Sequence, residues 1–300
     1  MNKKLSLIGI GVAVGSMLLI TSAYAGIGDA PGYNAYKSAV KSTMDIKNVT
    51  RNIDVTVEDN GAAILNVKST MKSAGTEEPG SVNVDLTGTA APQTIQYFNQ
   101  GGKRIVKTSG SDVYQIVDTN GLHESNDKQE GHDAAMTQEM ENVVDALVGN
   151  LKNYVAMDES NGTKDIHFTL SGSQIPTVVN TIGSVIVKQG ATGKVHTPNP
   201  SETFGVNVST LRDSLPKLTQ EIKMDSVSMN ATVDADNHIT NQVAELQISG
   251  KDAQGTAHEV IVKLNIGLSS FNTTTPDTVD LTGKTVQTVK PFDKGSFKHN

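Results

Sequence analysis

Carboxylates and histidines are the groups in this chain whose spacing could do chemistry, and they form two clusters. Asp234-Ala235-Asp236-Asn237 sets acidic and amide oxygens close together, as the start of a calcium loop does. An EF-hand loop then needs Gly at its sixth position and Glu at its twelfth. Glu245 fits the twelfth, but Ile239 stands at the sixth, and the segment joins strand-like runs rather than helices. An Asx-rich turn is the better account of it. In the second cluster, His123 and His132 flank an acidic loop with Glu124, Asp127, Glu130 and Asp133. Weak divalent-metal binding is one reading there, and a solvated loop is the stronger one. Ser111-Asp112 and Asp165-x-His167 are isolated. Alternation puts Asp165 and His167 on one strand face, but hydrolysis needs a third orienting group and a cleft. G-x-S-x-G, H-E-x-x-H and P-loop patterns do not occur. The expectation is a protein that is not an enzyme, with no catalytic residue, no metal and no cofactor.

Elements that would position any site follow from the apolar periods. Tyr36, Ala39, Val40, Thr43 and Met44 make a helical stripe after Pro31-Gly32. From Val49 the period becomes two: Val49, Arg51, Ile53, Val55 and Val57 alternate with polar partners up to Asp59-Asn60-Gly61, a hairpin signal. Further alternating runs follow through Val117. A second helix is expected from His132-Asp133 to Gly149-Asn150, with Met136, Met140, Val143, Val144, Leu147 and Leu151 on one face. A hairpin turns at Asn161-Gly162. A third helix opens at Pro176, with Val178, Val179, Ile182, Val185 and Ile186 inward. A short helix over 209–215 precedes the last meander. There the inward parity changes between Met224 and Val227, as a β-bulge would produce. Val260 to Leu268 gives five alternations, and residues 283–300 read as an aperiodic flexible tail.

The whole describes an α+β domain over 26–282: a strongly curved antiparallel β-sheet, an open half-barrel, with about three helices packed on its concave face. Residues 1–25 read as a secretory signal, with Lys3 and Lys4, an apolar run from Leu5 to Ile20, and cleavage after Ala25. The expected location is therefore secreted or extracytoplasmic, at the cell surface or in the envelope. A formal charge of −7 makes a poor nucleic-acid partner. The absence of Cys rules out disulfides and thiolate chemistry. No run after the signal is long and apolar enough to be a transmembrane helix.

The stretch YNAYKSAVKSTMDIKNVTRNIDVTVEDNG and the later EIKMDSVSMNATVDADNHITNQVAELQISG resemble the opening helix and hairpin, and the late strand–acidic turn–strand, of the LolA/LppX-like lipoprotein-carrier superfamily. The resemblance runs over about residues 33–272 by element order. It implies an unclosed barrel that carries lipids, lipoproteins or glycolipids, or serves as an envelope sensor. It supplies no binding motif, and the lipobox Cys of many relatives is missing. The function expected is binding or carriage of a hydrophobic, lipid or lipoprotein-type ligand. Candidate cavity-lining residues are Met136, Met140, Val143, Val144, Leu147, Val178, Ile182 and Ile186. The alternative is a structural, matrix or envelope-sensing surface protein with a filled core.

Overall fold

Alternating apolar residues can bury one face of a strand only if neighbouring strands present the same parity, and this chain satisfies that condition over long ladders. The computed structural model describes residues 30–75, 79–88, 91–118, 152–177, 215–288 and the single positions 180 and 187. Helix α1 (Pro31–Met44) leads into β1 (Asn48–Asp59), β2 (Ala62–Ala74), β3 (Ser81–Gly88), β4 (Gln93–Gln100), β5 (Lys103–Thr108) and β6 (Tyr114–Asp118). A second run follows: β7 (Ala156–Ser160), β8 (Thr163–Ser171), β9 (Gln220–Val233), β10 (Ile239–Lys251) and β11 (Ala257–Ser269), and then the short β12 (Val286–Thr288).

All twelve strands lie in one sheet, ordered β12-β6-β5-β4-β3-β2-β1-β11-β10-β9-β8-β7. Two meanders are thus zipped together by the antiparallel β1–β11 ladder, from Thr50↔Ser269 to Asp59↔Val260. The hairpin turns are those the sequence signals. Asn60 and Gly61 sit at φ 50° and 80°, and Asn161 and Gly162 at 52° and 79°. Positive φ at both central residues matches the right-handed twist of the strands they join. The parity change in β9 is also a bulge, because Ser226 pairs Gln247 while Met224 pairs Ile248. Asp225 is the extra residue, and Met224 and Val227 thereby stay on the same buried side.

The expected half-barrel with about three helices over a concave face is not borne out. The sheet is open, with β7 and β12 at its two edges, and α1 is the one α-helix among the elements fully described, beside single 3-10 turns at Lys152–Tyr154 and Gly172–Gln174. Periodicity reports which face of a strand is apolar. Closure depends on how the edges meet, and here one edge has the adjacent acids Asp158 and Glu159 while the other is three residues long. The helices expected over 132–150 and 209–215 lie outside the described residues, save that Leu215 packs beside Leu218 and Ile248. From the stretch opened by Pro176, Thr177, Asn180 and Val187 are helical. Asn180 Oδ1 accepts a bond from the Met224 N–H at 2.9 Å, and Val187 packs near Leu218 and Ile248.

Helix α1 rests on β7, β8 and β10. Pro31 at its first turn suits the missing N–H. Its buried side, Gly32, Tyr36, Ala39 and Thr43, joins Ile166, Met229, Ala231, Val233 and Ile239 in the best-sealed part of the core. Polar ties fix its angle. Tyr36 donates to Gln242 Oε1 at 3.1 Å, the Ile239 N–H donates to Thr43 Oγ1 at 2.8 Å, and Asn237 Nδ2 reaches both Ser38 Oγ and Ser42 Oγ at 3.0 Å.

After β11 the chain crosses the polar face as a strap. The Asn48 carboxamide bonds both N–H and C=O of Thr274, at 2.7 and 3.3 Å. Gln100 does the same to Val279, at 2.9 and 2.8 Å. Pro276 sits against Gly80, where a Cβ would come within 2.4 Å of its ring. Residues 286–288, which the sequence places in an aperiodic tail, then pair in parallel with β6. A strap that meets a sheet edge needs backbone partners rather than an apolar period, and so leaves no pattern in the sequence.

Candidate functional site

One face of the sheet is apolar over its central strands. Register places Val49, Ile53, Val55 and Val57 of β1 in line with Leu65, Val67 and Met71 of β2, with Val82, Val84 and Leu86 of β3, and with Val260 to Leu268 of β11. On the far side, Ala244, Leu246 and Ile248 of β10 and Val227 to Val233 of β9 complete the rows. A filled core would seal all of these. Instead Val55, Val67, Met71, Val84, Leu246, Val262, Ile266 and Leu268 are only half-buried, next to buried Ile53, Val57 and Leu264. The face is apolar yet incompletely covered.

Arg51 breaks the apolar pattern. It stands on this same face, paired with Met71 on one side and Leu268 on the other. It is the one charged residue in those central rows of β1–β3 and β9–β11. Its guanidinium is half-buried, and the bond from Nη1 to Ser73 Oγ is long, at 3.4 Å. Burial pushes its pKa below the usual arginine value, but a guanidinium stays protonated in proteins, so the desolvation cost stands. Two residues along β2 from Met71, Ser69 is 6% exposed and its Oγ has no hydrogen-bond partner.

The residues expected to line a cavity, Met136, Met140, Val143, Val144, Leu147, Val178, Ile182 and Ile186, lie outside the described residues. Parity in the sequence already puts Arg51 on the apolar face. Its signal was a charge inside a period-two apolar run.

Other clusters are accounted for by the fold. Asp234, Asp236 and His238 bring ligand-capable atoms within 4.8 Å of one another. Asp234 Oδ1 already accepts the N–H groups of Asp236 and His238, at 3.0 and 2.8 Å, which is an Asx turn. Calcium takes roughly six to eight oxygens. Ser69 and Lys72 have the Ser-x-x-Lys spacing of acyl-transfer enzymes, but they fall on opposite faces of β2, and Lys72 binds Asp277 at 2.6 Å. Ser38 and Lys41 share that spacing on exposed positions of α1, where Ser38 Oγ accepts from Asn237. On the polar face, a depression of about 300 Å³ surrounds Gly267, edged by Asn52, Asp54, Lys68, Thr70, Asn241 and Asn265.

At the far ends of β1 and β11 a histidine is held between two carboxylates. His258 Nδ1 lies 2.9 Å from Asp59 Oδ2, and Nε2 lies 3.6 Å from Asp252 Oδ2. The hydrogen bond to Asp59 raises the His258 pKa above 6.5, and Asp252 adds to the rise. Burial alone would raise the Asp252 carboxyl, but the Thr256 N–H, then His258 and the Gln254 N–H, hold it below 3.8. A raised histidine pKa contributes stability that is complete below 6.5 and lost as pH climbs through the folded value. The depressed Asp252 contributes above 3.8 and loses its share on acidification. The unfolding midpoint of His258→Gln should therefore fall furthest below the parent near pH 6, and the gap should narrow by pH 9. A gap independent of pH would show that His258 acts by packing alone.

The geometry defines an open, mostly antiparallel β protein with one incompletely covered apolar face. Comparisons add little to that class. No family model matches the chain, and none of the curated proteins matches it. Among solved structures, a DUF1329 family protein from Desulfovibrio piger aligns over 80% of this chain and 91% of its own, at 6% identity and a TM-score of 0.17. The bifunctional dehydratase-cyclase domain in ambruticin biosynthesis aligns over 86% and 89%, at 11% identity and a TM-score of 0.13. Likeness at that level carries no argument about function.

Proposed function

We propose that this is an exported, non-enzymatic protein that binds a hydrophobic, lipid or lipoprotein-type ligand on the apolar face of its sheet. One observation carries the reading: the central rows of β1–β3, β10 and β11 are apolar, and yet many of their side chains, such as Val55, Val67, Met71 and Val262, are only half-buried. Each methylene buried there would contribute about 0.8 kcal/mol, so a site of this kind needs no polar motif. Helix α1 seals only the β7–β8–β10 end. The order of elements that resembles the LolA/LppX-like carriers supports the same ligand class. The signal-like first 25 residues support export.

Native mass spectrometry of the protein recovered from the producing cells tests this. The expected result is a reproducible added mass that organic extraction removes, on a chain that begins at Gly26. A bare chain that also takes up no dodecyl-chain ligand would overturn the reading and favour a filled structural or sensory domain.

A further inference from the structure

We propose that Arg51 anchors the anionic headgroup, a carboxylate or a phosphate, of an amphiphile whose chain lies along the apolar face. The proposal rests on the lipid-binding reading above and specifies the ligand's chemistry.

Three features of the structure carry it. The first is position. Arg51 lies between Met71 and Leu268, within rows that are otherwise uncharged, so a ligand whose chain follows Val55, Val67 and Val262 has one cation within reach of its end. The second is the state of that cation. A half-buried guanidinium has five donors, and among the described residues this one makes a single long bond, to a neutral serine. Among the described residues no carboxylate pairs with it. Charges are rarely desolvated without a partner, because the cost is high, and an oxyanion bound here would supply that partner. A planar guanidinium fits a carboxylate or phosphate with two parallel bonds.

The third observation is the company Arg51 keeps. Ser69 and Ser73 are both diagonal neighbours of Arg51 across the β1–β2 ladder, at a spacing of roughly 7–8 Å that long side chains bridge. Both are 6% exposed, and Ser69 Oγ has no partner. An oxyanion at Arg51 would have hydroxyl donors on either side of Met71. The protein's overall negative charge makes this local cation more telling, since general electrostatic attraction would not bring an anion to it.

The test is calorimetric titration of the delipidated full chain with dodecanoate, dodecyl phosphate, 1-dodecanol and inorganic phosphate. The expected result is that a dodecyl anion binds at least about tenfold more tightly than 1-dodecanol. Arg51→Gln should bring the anions down to the alcohol's affinity and leave the alcohol unchanged. Arg51→Lys should restore part of the preference. Folding should not confound these variants, because the guanidinium has so few native partners; equal or higher unfolding midpoints would confirm it. Anions and alcohol binding equally well, or an anion preference that survives Arg51→Gln, would overturn the headgroup assignment and leave the lipid reading intact. Inorganic phosphate binding as tightly as dodecyl phosphate would likewise overturn it, because the site would then serve a free anion. Failure of every dodecyl compound to bind would overturn the lipid reading, and this proposal with it.

Discussion

Gly32→Val should displace α1 from the sheet and lower the free energy of unfolding by about 3 kcal/mol. The helix backbone comes so close to β7 that a Cβ at Gly32 would sit 2.5 Å from the Val155 carbonyl oxygen and 3.1 Å from two backbone carbons. These are main-chain atoms of Val155 and Ala156, where the chain enters the paired strand β7. They cannot swing aside as a flexible side chain would, and valine's γ-methyls widen the clash. Relief requires the first turn of α1 to lift. Lifting it loosens Tyr36 and Ala39, which are 4% and 0% exposed, and the buried bond from Tyr36 to Gln242. That bond and its burial, which pushes the Tyr36 pKa far upward, mark how dry the contact is. Urea unfolding measures the loss. Lys37→Val, one turn along on the exposed side, should stay within about 0.5 kcal/mol of the parent. Equal midpoints for the two variants would show that α1 is not held in this close contact.

Ile166→Ala should cost about 4 kcal/mol, in the upper part of the roughly 2–5 range for such truncations. Ile166 is fully buried among Tyr36, Ala39, Met229, Ala231, Val233 and Ile239. Two of these neighbours are alanines with nothing to extend into a void. Others belong to β9 and β10, whose ladders fix their backbones, so the cavity collapses poorly. Ile166→Val should cost only about 1 kcal/mol. Denaturant titration of the pair is the check, and similar costs for both variants would mean that the site relaxes and the core there is soft.

These two positions differ in how visible they are from sequence. Ile166 falls in an alternating run, Ile166-His167-Phe168-Thr169-Leu170, and its burial follows from parity. Gly32 follows a helix-opening proline, and nothing nearby in sequence says that a strand more than a hundred residues away will press against it. Arg51 shows both sides at once. Its parity with Val49 and Ile53 already puts it on the apolar face. That no carboxylate among the described residues pairs with it is a fact about β2 and β11, and only the pairing reveals that.

The general division follows the range of the forces. The amino-acid sequence alone determined features with local causes: the alternation of β1 and β11, the Asn-Gly turns at 60–61 and 161–162, the parity shift at the Asp225 bulge, and the amphipathic stripe of α1. Each depends on residues within a few positions of one another, through side-chain period and allowed φ. Only the tertiary structure decided that β1 joins β11, that all twelve strands share one open sheet, that the 270–288 strap returns to β6, and that Arg51 has no counter-charge among the described residues. Each of those outcomes is a competition among distant partners, settled by which edges and faces meet, and a one-dimensional pattern holds no record of it.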